Sequence, residues 1–232
     1  MTISTILTVG MSLLATLPAA TLADTSSSQH YRLRAKVTGP QTDKTPDVSG
    51  WAIEVRRLGI TTRLPPDDMW GVLYNETFSP GRGGDIFYTQ QQTQSSDASA
   101  SYVRTDAPNN SGEVTPFGWY IPGGYALSSD QIIATRTNTA ETATGVVEGA
   151  DGVPALGLVG FGEQTFVACK EAYREWAVVY WTDVERFGTD EIYSQDWRNC
   201  TEIQLVPECT TGGPEYEGLV ETACVADIGT VL

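Results

Sequence analysis

The feature that most constrains the fold of this 232-residue chain is an alternation of apolar and polar residues within short segments. In the clearest case, 31–37, apolar and basic residues alternate with a period of two, as in a strand with one buried and one solvated face. No window of a dozen residues keeps apolar side chains at the spacing of an amphipathic helix, so we predict an all-β fold. Further predicted strands span 51–58, 69–76, 85–90, 101–105, 114–121, 131–137, 156–161, 164–170, 175–183 and 201–206.

These strands recur at roughly ten-residue spacing without intervening helices, which favours two antiparallel sheets packed face to face, a β-sandwich of jelly-roll type. A closed β-barrel is the alternative. Residues 24–209 are long enough for a single domain with its own core. We predict surface loops at 90–101 and 138–151, and an acidic, glycine-containing tail at 210–232.

Residues 1–23 form an uncharged leader rich in Leu, Ala and Thr. Its apolar part, 3–17, is too short for a membrane span, and Thr21-Leu22-Ala23 places small residues three and one before a cut. We therefore predict a secretory signal peptide, a mature chain that starts near Asp24, and a secreted, extracellular protein. The tail has no apolar run long enough for a lipid-anchor signal, so we expect no membrane anchor.

An oxidising export route would allow the four cysteines to form disulfides. Four cysteines allow three pairings, and the sequence alone does not choose among them. We favour Cys169 with Cys200, which would join a core strand to the last strand, and Cys209 with Cys224, which would fasten the tail. The chain has no Cys-x-x-Cys and a single histidine, so the usual mixed zinc sites cannot be assembled and no metal is predicted.

Three sequons mark candidate acceptors of N-linked glycans in a secreted chain. They begin at Asn75, Asn109 and Asn199.

The charge balance excludes one class of partner. The chain carries 29 acidic and 14 basic residues, a net charge of −15, and its pI is about 4.3. Binding to nucleic acid or to an anionic membrane needs a basic surface that neutralises several phosphates, so neither partner is expected. We expect a monomer whose partner is a glycan or an extracellular protein.

The sequence contains no strong catalytic motif. The single histidine, His30, lies beside the first clear strand, and no Gly-x-Ser-x-Gly elbow accompanies it. There is no phosphate-binding loop, so no nucleotide cofactor is predicted. Hydrolysis of a glycoside needs only two carboxylates about 5 to 9.5 Å apart, and the pairs Asp183 with Glu185 and Glu171 with Glu175 keep it open. In so acidic a chain a solvated surface is the preferred interpretation of such pairs.

The segment 174–183 carries apolar and aromatic residues on both faces, which predicts a central strand. The structural interpretation is that one face fills the core and the other packs beneath a loop. The functional interpretation is an aromatic platform on which a sugar ring stacks. The candidate ligand-binding residues are Trp119, Tyr120, Tyr125, Trp176 and Tyr180.

The layout resembles a group of small fungal secreted proteins of unknown function. The resemblance rests on the leader, the strand 31–37, a Phe-x-x-Cys segment at 166–169, a Trp-x-x-x-Tyr-Trp segment at 176–181 and a closing Cys-x-x-x-x-Leu-x-Pro-x-Cys at 200–209. It covers both ends of the mature chain better than 61–129, and it implies a β-rich secreted domain without a known activity.

Three functions remain open on these grounds. The favoured hypothesis is a non-catalytic extracellular module that binds a glycan or a cell-surface partner. The alternatives are a carbohydrate-active hydrolase with paired carboxylates and an effector-like module that recognises a protein.

Overall fold

A computed structural model describes residues 24–41, 45–56, 69–77, 83–91, 101–109, 111–120, 131–132, 134–137, 144–149, 151–158, 164–170, 175–183 and 200–232. Within these segments the protein is all-β, as predicted, and a short 3-10 turn at Ile228–Thr230 is the one helical element. The strands are β1 (Thr25–Ser28), β2 (His30–Val37), β3 (Ala52–Arg56), β4 (Met69–Tyr74), β5 (Ile86–Gln91), β6 (Ser101–Pro108), β7 (Val114–Tyr120), β8 (Gln131–Ile132), β9 (Ala134–Thr137), β10 (Thr144–Glu148), β11 (Pro154–Leu158), β12 (Gln164–Lys170), β13 (Trp176–Asp183), β14 (Cys200–Thr210), β15 (Leu219–Val220) and β16 (Thr222–Val225).

Fourteen of these strands form one continuous sheet, and six of them close into a ring. The ring runs β2, β3, β4, β13, β12 and β14, and the antiparallel pairing of β14 with β2 completes it. Four more strands lie outside this ring and connect β2 to β4 through successive pairings, in the order β5, β6, β7 and β9. The closed-barrel alternative therefore fits the topology better than the favoured two-sheet sandwich. Closure pairs the backbone N–H and C=O groups of edge strands, which a sandwich leaves without a neighbouring strand.

The alternation in β2 sets the position of the core. Tyr31, Leu33 and Ala35 are fully buried, whereas the basic residues between them are partly exposed. Side chains from all six ring strands and from β5, β6 and β7 join these three residues in one apolar cluster. Strand β13 contributes to this cluster with one face and to a second apolar cluster with the other, so the prediction of a central strand with two apolar faces is confirmed.

Several predicted boundaries change in the folded chain. Strand β12 has the predicted bounds, but β14 continues to Thr210, four residues beyond the predicted end at Val206. The segment 138–151 is not entirely a loop, because 144–148 forms β10 and pairs with β11. Residues 210–232 contain β15 and β16, which pair with β5 and β1. Partners far along the chain stabilise these short strands, and no local pattern reveals such partners.

Both predicted disulfides form. Cys169 and Cys200 lie opposite each other on β12 and β14, and Cys209 at the end of β14 bonds to Cys224 on β16. Two disulfides fit an oxidising or extracellular compartment. The described residues contain no helix with the length and apolar character needed to cross a membrane. The predicted signal peptide, 1–23, lies outside the described residues.

Candidate functional site

An open pocket lies where the turn before β3 meets the segment that follows β4. Its volume is about 370 Å³, within the range of roughly 300 to 1,000 Å³ typical of small-molecule sites. One aromatic ring and several hydroxyl, amide and carboxylate groups line it. The lining residues are Asp47, Ser49, Gly50, Trp51, Asn75, Glu76 and Thr77, which we call the Trp51 pocket.

The turn before β3 forms one wall of the Trp51 pocket. Val48 is fully buried and anchors the turn in the core. The Asp47 carboxylate accepts a hydrogen bond of 3.2 Å from the backbone N–H of Ser49, and Gly50 adopts a left-handed φ of 77°. This reversal places Trp51 immediately before β3, where it is half-buried, packs against the core and is one of the residues that line the pocket.

The opposite wall is the Asn75-Glu76-Thr77 segment that ends β4. The side-chain Oδ1 of Asn75 accepts a hydrogen bond of 2.8 Å from the backbone N–H of Thr77, which folds the segment into an Asx turn. Glu76 and Thr77 are exposed, and Asn75 is half-buried. The turn therefore presents three polar side chains toward solvent and toward the pocket.

Arg34 of β2 ties the two walls together. Its Nη1 donates to Glu76 Oε1 at 2.7 Å and, at 3.5 Å, to the carbonyl oxygen of Gly50, while its Nε donates to Glu208 Oε2 at 2.8 Å. Burial of the guanidinium lowers the pKa of Arg34, but the hydrogen bonds and charges of Glu76 and Glu208 outweigh burial and hold the pKa above its ordinary value. A permanent cation thus fixes the position of one pocket carboxylate.

The chemistry of the Trp51 pocket suits a neutral, hydroxyl-rich ligand. The indole of Trp51 offers a flat apolar surface, and the polar side chains around it offer acceptors and hydroxyl donors. Asp47 and Glu76 both carry carboxylates there, and Arg34 engages Glu76 from beneath. An anionic ligand would meet uncompensated negative charge, whereas a neutral or amino-substituted ligand would not.

Most aromatic residues singled out from the sequence lie elsewhere. Trp119 is 2 % exposed in the core, where its ring meets Phe87 edge to face at 5.7 Å. Trp176 and Tyr180 lie on the other face of β13, in the second apolar cluster, and Tyr180 is 6 % exposed. The side chain of Tyr120 and the whole of Tyr125 lie outside the described part. The fold thus separates Trp119 from Trp176 and Tyr180 and places none of these three in the Trp51 pocket.

Each predicted carboxylate pair contains at least one side chain outside the described residues. Glu171, Glu185 and the side chain of Asp183 lie outside the described residues, and Glu175 is exposed. Of the sequons, Asn75 lines the Trp51 pocket, Asn109 lies in the turn between β6 and β7, and Asn199 is outside the described part.

The histidine contributes to packing. His30 Nε2 and the carbonyl oxygen of Pro214 lie 2.8 Å apart, and the ring meets Tyr88 edge-on at 6.5 Å. Next to it, Asp106 accepts hydrogen bonds from the hydroxyls of Tyr88 at 2.8 Å and Tyr216 at 3.0 Å. These contacts hold the segment after β14 against β2, β5 and β6.

A half-buried carboxyl group, that of Asp85, lies outside the Trp51 pocket, where the start of β5 meets β3. The backbone N–H of Asp85 donates to the carbonyl oxygen of Ile53 at 2.9 Å, and its Oδ2 accepts from the N–H of Val55 at 2.6 Å. Asp85 therefore connects the start of β5 to β3 through its backbone and its side chain.

The surroundings of Asp85 disfavour its ionised form. Burial is the largest cause and raises the pKa of Asp85 to about 6, and the negative charge of Glu54 acts in the same direction. The hydrogen bond from Val55 and the charges of Arg56 and Arg32 oppose this rise without cancelling it. Glu54 itself is 3 % exposed and accepts hydrogen bonds from the guanidinium of Arg56.

Within the described segments, no three His, Cys, Asp or Glu side chains are grouped closely enough to hold a metal ion. Comparison of the chain with protein-family models, with curated proteins and with solved structures finds no match. The geometry of the site is therefore the basis for a functional assignment.

The sequence reasoning missed Trp51, Asp47 and Glu76 as site residues. The available signal was weak: a tryptophan after a glycine-containing turn, and a polar Asn-Glu-Thr segment at a strand end. Neither segment indicates that the other lies across a pocket from it.

Proposed function

We propose that this protein is a secreted, non-catalytic binding module that takes a neutral or amino-substituted carbohydrate in the Trp51 pocket. The observation that carries this proposal is the pairing of one half-buried indole with a rim of carboxylate, amide and hydroxyl groups. The apolar C–H face of a sugar ring packs on an aromatic surface, while its hydroxyls hydrogen-bond to surrounding acceptors.

The rigidity of the pocket supports binding. Both walls are turns closed by their own side chains, and Arg34 connects them. A site that is already ordered loses little conformational entropy when a ligand arrives. The two disulfides support a location outside the cell, where glycans are abundant.

The test is a screen of neutral, amino and acidic oligosaccharides against the mature protein prepared without N-linked glycans, followed by calorimetric titration of each binder. We expect Trp51→Ala to weaken binding about twofold, because the small apolar part of the pocket surface contributes only about 0.3 kcal/mol. Trp51→Phe, which keeps a flat ring, should lose much less. Glu113→Gln, an exposed charge change in the turn between β6 and β7, is the matched control.

Each result of this screen has a defined meaning. Binding of neutral sugars that depends on Trp51 supports the proposal. Preference for uronic or sulfated sugars, or equal binding by wild type and Trp51→Ala, contradicts the assigned pocket. Release of soluble sugar would favour the hydrolase hypothesis, and no binding to any glycan would favour recognition of a protein.

A further inference from the structure

One residue of the Trp51 pocket is itself a sequon asparagine. Asn75-Glu76-Thr77 is an N-x-Thr tripeptide, and all three of its residues line the pocket. Of the sequon that begins at Asn109, the described residues Asn109 and Ser111 lie between β6 and β7 and are not among the residues that line the pocket. The two sites therefore differ in what an attached glycan would contact.

The geometry of Asn75 is compatible with a covalent sugar. Its Oδ1 accepts the hydrogen bond from Thr77, and glycosylation substitutes Nδ2 while leaving that oxygen as an acceptor. The Asx turn can thus persist after modification. Asn75 is half-buried at the pocket wall, so the first sugar on Nδ2 would begin beside the pocket that contains Trp51.

The first sugar of an N-linked glycan also has the chemistry that the pocket suits. N-acetylglucosamine is neutral, carries hydroxyls for the carboxylates of Asp47 and Glu76, and has an apolar face for the Trp51 ring. Because it is attached to a pocket residue, it reaches the site at an effective concentration in the millimolar range or above. Weakly bound free sugars would compete poorly against it.

We infer that Asn75 carries an N-linked glycan that occupies the Trp51 pocket and limits the binding of external carbohydrate. This inference rests on the proposed function in two respects, passage through the secretory route and the binding of external sugar. The occupancy of the pocket by the attached glycan needs only the first of these. An effective concentration on the order of 10 mM, set against a dissociation constant of about 1 mM for one sugar, would weaken external binding about tenfold.

The experiment uses the mature protein secreted from a host that attaches N-linked glycans. Intact mass and peptide mapping measure occupancy at Asn75, and nuclear Overhauser contacts between the acetyl methyl group of the glycan and the Trp51 indole measure its position. Sugar affinity is then compared between this protein and the same protein produced without N-linked glycans, because an amidase would convert Asn75 to Asp and an endoglycosidase would leave the first N-acetylglucosamine attached. Thr77→Ala abolishes the sequon, Thr77→Ser preserves it, and Ser111→Ala removes only the sequon at Asn109.

The inference predicts a modified Asn75, contacts to Trp51, and a sugar affinity about tenfold higher in the protein produced without N-linked glycans. Thr77→Ala should lose the modification at Asn75 and Thr77→Ser should keep it, while Ser111→Ala should keep the affinity of the glycosylated wild type. An unmodified Asn75, or a glycan without contacts to Trp51 and without effect on affinity, would overturn the inference and leave the proposed function intact. Contacts to Trp51 in the glycosylated protein, with no binding of external sugar by the protein produced without glycans, would support occupancy and overturn the proposed function.

Discussion

Replacing Asp85 by Asn should stabilise the protein at neutral pH and remove part of the pH dependence of its stability. The folded protein raises the pKa of Asp85 from 3.8 to about 6, mainly by burial. Asn has nearly the same shape, carries no charge, and keeps an oxygen that can accept the hydrogen bond from the N–H of Val55. The substitution therefore removes the cost of burying a charge and preserves the connection between β5 and β3.

The sign follows from proton linkage. Well below pH 3.8 the carboxyl is protonated in both the folded and the unfolded chain, so its ionisation costs the folded state no stability. As the pH rises toward about 6, the unfolded chain releases the proton first, and the free energy of unfolding falls. The difference between the two pKa values corresponds to a loss of roughly 3 kcal/mol in the free energy of unfolding. This loss reaches its full size once the pH is well above the pKa of the folded state.

The assay is urea unfolding at a series of pH values from 4 to 8, followed by tryptophan fluorescence with the disulfides intact. The quantity to compare is the difference in unfolding free energy between Asp85→Asn and wild type, because carboxylates that do not interact with Asp85 cancel in this difference. We expect the difference to grow by about 2 kcal/mol in favour of the variant between pH 4 and pH 7. Glu113→Gln, an exposed carboxylate in the turn between β6 and β7, is the control and should show no such growth.

A difference that stays constant from pH 4 to pH 7 would refute the reasoning, because it would mean that Asp85 titrates alike in both states. A variant that loses stability specifically as the pH rises would also refute it. That result would show that the ionised carboxylate, through the N–H of Val55 and the nearby Arg32 and Arg56, stabilises the fold by more than burial costs.

Two further perturbations test the packing and the cross-links. Gly71→Ala would place a Cβ 2.6 Å from the ring of Trp119, so we expect a loss of about 1 to 3 kcal/mol in urea unfolding; a neutral result would show that the ring moves aside freely. Changing Cys209 and Cys224 together to Ser opens a loop with a sequence separation of 15 and should cost about 3 kcal/mol, and unchanged stability would show that strand pairing alone fixes β16.

The sequence reached the fold class and most strands because those features depend on local alternation. The 31–37 pattern predicted a half-buried strand, and Tyr31, Leu33 and Ala35 are indeed buried. The pairing of the four cysteines was also predicted, because one pair joined two strands and the other fastened the tail. The two-sheet arrangement was not the one found, because closure depends on the pairing of β14 with β2, which no local pattern encodes.

The aromatic residues show the same contrast between what local sequence predicts and what the fold decides. From sequence, Trp119 and Trp176 are equivalent tryptophans in apolar strands, yet one lies in the core and the other on the opposite face of the sheet. The sequence around Trp51 does not indicate that this residue lies at a site. Its role in the proposed site depends on Asn75 and Glu76, which a different strand brings across the pocket.

By itself, the sequence determined the all-β character of the described residues, because period-two alternation and turn residues act over a few positions. It also determined the net charge of −15, on which the expectation of no anionic partner depends. The tertiary structure alone decided the ring closure, the surroundings that raise the pKa of Asp85, and the Trp51 pocket. Each of these depends on groups from separate strands meeting at short distance. Arg34 illustrates the reason: its alternation predicts an outward-facing residue, but only the fold places Gly50, Glu76 and Glu208 around it.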